Sequence, residues 1–113
     1  MFGDDFLDGL DAYARKDYET TTRLWSPLAE QGYHEAQMGM STMYTLRKGV
    51  PQNHKEAFKW YRLSAEQGYA SAQLAVGVSY SEGHGALQDY VLAHMWLNLS
   101  SSNGNKHISC LTT

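Results

Sequence analysis

The stretch "AEQGYHEAQ" at residues 29–37 returns as "AEQGYASAQ" at residues 65–73, 36 residues later. A chain that restates itself at a fixed interval in this range is built from stacked copies of one supersecondary unit. Sliding the chain by 36 brings Gly32, Gly68 and Gly104 into register, with Gly49 on Gly85 and Asp17 on Asn53 and Asp89. Tyr44 falls on Tyr80, Ala57 on Ala93 and Trp60 on Trp96. Five of the ten glycines occupy these two recurring places, so they are structural punctuation and not loose linker.

Each aligned position has a physical task. Asp17, Asn53 and Asp89 precede helix-like runs, where a short side-chain oxygen can accept from the free N–H groups of a first turn. Glu56 lies three residues after Asn53, the spacing of a capping box. Gly32, Gly68 and Gly104 follow helix-like runs and suit the left-handed residue just past a helix end. Between these marks the spacing is helical. Ala36, Met40, Met43 and Tyr44 form one stripe and Ala72, Val76, Ser79 and Tyr80 repeat it. Ala57, Trp60, Tyr61, Ser64 and Ala65 form a second-helix face, copied in part by Ala93, Trp96 and Leu97. The pattern predicts six helices near 4–15, 18–31, 34–46, 54–67, 70–82 and 90–102. They form three antiparallel pairs, about 4–31, 33–67 and 69–103, in one all-α domain over 1–104, followed by a polar tail at 105–113.

The blocks "AQMGMSTMYTLRKGVPQNHKEAFKWYRLSAEQG" and "AQLAVGVSYSEGHGALQDYVLAHMWLNLSSSNG" resemble Sel-one-like repeats, relatives of the tetratricopeptide repeat. Ala36, Tyr44, Gly49, Val50, Ala57, Trp60, Tyr61, Ala65, Glu66, Gln67 and Gly68 meet that pattern. The third copy is looser, with Ala86 after Gly85, Leu97 for the Tyr and Ser101 for the second Ala. The opening hairpin has only Arg15 and Lys16 in its turn, and its Trp25 aligns with Tyr61. The resemblance implies a right-handed α-solenoid serving as a scaffold or adaptor, and a bacterial source.

The residues themselves offer little chemistry. The histidines at 34, 54, 84, 94 and 107 never share the i, i+3 or i, i+4 spacing of two metal ligands on one helix. The "GHG" at 83–85 precedes no strand-linked phosphate loop, and His84 reads as an exposed turn residue. Cys110 is the single cysteine, which excludes an intrachain disulfide and reads as a thiol on the tail. We therefore expect no enzyme activity, no metal and no cofactor. Net charge is −3 with Lys and Arg scattered, so no basic stripe is available for nucleic acid. No apolar run approaches the ~20 residues of a membrane span. The start "MFGDDFLDG" lacks secretory-signal character, which points to the cytoplasm; the periplasm or export follows if a signal has been removed.

The expected function is capture of a protein or peptide segment on a concave face lined by first helices. By register that face comprises Phe6, Met38 and Leu74, then Leu10, Thr42 and Val78, then Tyr13, Thr45 and Ser81. The bland reading is that these side chains pack on one another. The alternative function is a small ligand-binding or hydrolytic repeat protein acting on a cell-wall-type ligand. Its relatives use cysteine-braced repeats that this chain lacks. Met95 and Leu99 near the end of the array are expected to stay partly open and to support a homodimer through the C-terminal repeat.

Overall fold

The computed structural model describes the backbone of residues 2–112 and the side chains of residues 4–104. Six helices follow one another: α1 (Phe2–Ala14), α2 (Tyr18–Glu30), α3 (His34–Leu46), α4 (His54–Glu66), α5 (Ala70–Glu82) and α6 (Tyr90–Thr112). No strand occurs among the described residues. The pairs α1/α2, α3/α4 and α5/α6 are hairpins, and α2 on α3 and α4 on α5 join them into a solenoid.

The three expected caps start the second helix of each pair. Asp17 accepts from the Thr20 N–H at 3.3 Å, Asn53 from the Glu56 N–H at 3.1 Å, and Asp89 from the N–H groups of Val91 and Leu92, both at 3.0 Å. The expected reciprocal arm of a capping box at Glu56 does not form. The Asn53 N–H is already held by the Tyr44 carbonyl at 3.1 Å, and the Glu56 carboxylate faces Lys59 at 3.4 Å. The same backbone bond closes all three hairpins: Asp17 N–H to Ala12 O at 2.8 Å, and Asp89 N–H to Tyr80 O at 2.9 Å. It makes Ala12, Tyr44 and Tyr80 structurally equivalent, and so fixes the register of α1, α3 and α5.

Gly32 and Gly68 adopt φ of 95° and 101°, as expected for residues just past a helix end. The expectation for Gly104 is corrected, because α6 runs through it to Thr112. Glycine permits a left-handed turn without requiring one. The first two turns are clamped from the following repeat. Gln67 Nε2 donates to Gly32 O at 3.2 Å and to Gln37 Oε1 at 3.0 Å, while Gln37 Nε2 donates to Ala29 O at 3.1 Å. One repeat on, Asn103 donates to Gly68 O at 3.2 Å and to Gln73 Oε1 at 2.7 Å, and Gln73 donates to Ala65 O at 3.1 Å. This relay gives the duplicated stretch its meaning. The carbonyls of Ala29 and Gly32, and again of Ala65 and Gly68, at helix ends where carbonyls lack intrahelical partners, each accept a side-chain amide N–H, from Gln37 and Gln67 and then from Gln73 and Asn103. Gln37 and Gln73 are buried polar residues, which are kept only when bonded. Cys110, expected on a polar tail, lies outside the described side chains.

The core has two centres. Trp25, Leu28, Ala29, Ala36, Met40, Met43 and Trp60 form the first; Ala65, Ala72, Val76, Tyr80, Ala93 and Trp96 form the second. Trp60 and Trp96 are core residues, as their helix faces predict. Hairpin helices approach closely at small residues. Thr21 donates to Gly9 O at 3.1 Å and Ser41 to Ala57 O at 3.1 Å, and a Cβ on Gly77 would lie 3.2 Å from Ala93 O.

Candidate functional site

Where three helices meet between pairs, the second-helix residue at one register position decides how much space remains. At the α1/α2/α3 junction that residue is Trp25, only 4% exposed. Its ring lies between Gly9 and Gly39, and a Cβ on Gly39 would come within 2.6 Å of it. Phe6 stacks on it at 5.3 Å and Tyr13 at 6.3 Å, and its Nε1 donates to Phe6 O at 3.2 Å. That junction is filled.

At the α3/α4/α5 junction two of the equivalent residues are smaller. Tyr61 stands for Trp25, and Thr45 stands for Tyr13. A groove of about 310 Å³ results. Its apolar walls are Ala57, Phe58 and Tyr61 from α4 and Leu74, Ala75 and Val78 from α5. Leu74 and Val78 are 51% and 41% exposed, so large apolar side chains stand open in a concave place. Thr45, Ser71 and Ser79 add hydroxyls, and Glu82, His54 and His84 complete the lining.

His84 sits in the turn after α5, exposed as the flanking glycines predict, and also stacks on His54 with ring centroids 4.6 Å apart. A Cβ on the neighbouring Gly85 would meet His54 O and Phe58, so a glycine is needed for the turn to lie against the start of α4. Among the described residues no group of three or more His, Cys, Asp or Glu could hold a metal ion. Ser79 donates its hydroxyl proton to Ala75 O at 2.8 Å, inside its own helix.

The nine candidate residues separate in the structure. Thr45, Leu74 and Val78 line the groove. Phe6 and Tyr13 are half-buried around Trp25, and Met38 is half-buried against the second core, so these three follow the bland packing reading. Leu10 is 42% exposed on α1, away from the groove lining. Thr42 is half-buried and donates to Met38 O at 3.0 Å, and the Ser81 carbonyl accepts from Gln88 at 2.9 Å. Residue reasoning missed His54, Phe58, Tyr61, Ser71 and Glu82 as groove residues. One usable signal was the run Leu74, Val78, Glu82 at i, i+4, i+8, which leaves two large apolar residues off the core stripe of α5.

No helix among the described residues is long and apolar enough to cross a membrane. The family model of the Sel1 repeat matches residues 34–69 and 70–105. A Sel1 repeat protein from Oxalobacter formigenes is 34% identical over 75% of this chain and 65% of that one, with a TM-score of 0.73. A protective antigen present in uropathogenic Escherichia coli strains, displaying an SLR fold, is 31% identical over 91% of this chain and 23% of that one, with a TM-score of 0.84. The chain thus spans less than two thirds of the length of either. No curated protein matches it. Sel1 repeat proteins generally mediate protein–protein interactions. Two adjoining matched repeats, over more than half of the chain and on the solenoid described above, place the chain in the Sel1 repeat family.

Proposed function

We propose that the chain is a non-enzymatic interaction module that captures an apolar segment of a protein partner in the α3/α4/α5 groove. The observation that carries this reading is the exposure of Leu74 and Val78 inside a concavity walled by Phe58 and Tyr61. Phe58 and Tyr61 pack against the second core, which holds that wall in place, so little ordering cost falls on the scaffold when a segment binds. Selection from a displayed peptide library should yield apolar peptides that bind the wild type. The double variant Leu74→Glu, Val78→Glu should lose them while keeping its far-UV circular dichroism. Retained binding would remove the groove from consideration. Phe6, Leu10, Tyr13, Met38, Thr42 and Ser81 are not needed in this form of the site. With one cysteine and no disulfide to protect, the cytoplasm is the proposed place of action.

The homodimer is proposed through α6. Val91, Met95 and Leu99 are 79%, 50% and 42% exposed. They occupy the register positions of Lys55, Lys59 and Leu63 on α4. Light scattering at ~100 µM, well above the dissociation constant of a moderate contact, should report a dimer. Val91→Lys with Met95→Lys, which copies α4, should report a monomer. A wild-type monomer at that concentration would end the proposal.

A further inference from the structure

Leu74, Val78 and Glu82 stand at i, i+4 and i+8 on α5, and all three line the groove. Successive members are therefore about 6 Å apart along the helix axis. An extended chain repeats its same-side side chains at nearly that interval, about 6.6 Å. Resting on the groove reading above, we propose that the partner is an extended peptide segment with two apolar side chains and one cationic side chain at alternate positions. The apolar pair lies on Leu74 and Val78, and the cation lies on Glu82.

The charge argument is specific. Glu82 is the only carboxylate among the lining residues, and the lining holds no lysine or arginine. Its one described ion contact is long, 3.6 Å to His84 Nδ1, and its side chain is 57% exposed. A lysine or arginine can therefore reach it without displacing a strong partner. An acidic side chain would meet repulsion from Glu82 with no lysine or arginine in the lining to relieve it. The extended form follows from bonding. An extended segment brings unsatisfied N–H and C=O groups, and the lining offers the hydroxyls of Thr45 and Ser71 to meet them, with Ser79, whose proton goes to Ala75 O, as an acceptor.

The test uses fluorescently labelled peptides with the core Leu-Ser-Leu-Ser-Lys and its reversal, since the groove does not set chain direction. Each is compared with versions carrying Gln or Glu in place of Lys, by anisotropy titration of the full chain. In one direction the Lys peptide should bind two- to fivefold more tightly than the Gln peptide, the range of an exposed ion pair, and the Glu peptide more weakly than either. Raising the salt to 0.5 M should bring the three together. Glu82→Gln should remove the difference between them. Equal binding of the three peptides by the wild type, or a lysine preference that survives Glu82→Gln, would overturn this inference alone. Failure of the Gln peptide to bind, or equal binding by Leu74→Glu, would bring down the groove reading and this inference with it.

Discussion

The α1/α2/α3 junction and the α3/α4/α5 junction share one backbone plan and differ in what fills them. In the first, Trp25 enters between Gly9 and Gly39 and is sandwiched by Phe6 and Tyr13. In the second, Tyr61 takes the place of Trp25, Ala75 that of Gly39 and Thr45 that of Tyr13, and a groove stays open. The repeat thus separates two jobs. One copy of the junction supplies stability, and its neighbour leaves apolar surface available. Among the exchanges, Trp25 to Tyr61 and Tyr13 to Thr45 are the ones that reduce the filling side chains. An architecture set by caps and turns lets a groove open without a change of fold.

The largest expected effect tests whether the first junction is a core. Trp25→Ala should cost about 3–5 kcal/mol, the transfer loss of a buried aromatic plus its cavity. Tyr61→Ala, at a half-buried equivalent position, should cost about 1–2 kcal/mol. Urea unfolding measures both, and equal losses would erase the distinction. Next comes Gly39→Ala. Its new Cβ would press on a ring held on every side, and the expected loss is about 1–3 kcal/mol. The reverse exchange, Ala75→Gly, should cost only the helix propensity of about 1 kcal/mol.

Thr45→Tyr copies Tyr13 into the second junction. Because the groove has room, stability should change by no more than about 1 kcal/mol. Peptide capture should nevertheless fall at least tenfold in titration, and unchanged capture would show that the segment binds elsewhere. The smallest effect concerns the caps that begin the two junctions. The Thr20 hydroxyl, and then the Thr20 N–H, hold the Asp17 carboxyl below its usual range. A depressed carboxyl contributes stability above its unfolded pKa and loses it as pH falls through the folded value. The Asn53 cap at the second junction has no such titration. Asp17→Asn should therefore lessen the fall in Tm between pH 5 and pH 3, and an identical fall would show that the α2 cap adds no acid sensitivity.

Much of the frame was legible from the residues, and α4 shows why. Asn53, the stripe through Ala57, Trp60 and Ala65, and Gly68 mark its start, its buried face and its stop by interactions reaching only three or four residues along the chain. Gly104 shares its residue type and register with Gly68 yet lies inside α6, because glycine permits the left-handed turn without requiring it. The roles of Gln37 and Gln73 went unread for another reason. Their hydrogen bonds reach 30 residues along the chain, to Gln67 and Asn103.

The candidate site was legible only in part. Register correctly grouped Phe6, Met38 and Leu74 as equivalent, but equivalence says nothing about exposure. Phe6 is covered because Trp25 is near, while Leu74 is open because Tyr61 and Thr45 leave room. By itself the sequence determined the helices, their order and their 36-residue register, since caps, left-handed glycines and helical stripes are local devices. Tertiary structure alone decided which junction closes and which stays open. That outcome is a sum of side-chain volumes contributed by three successive helices, beyond the reach of the local devices that set each one.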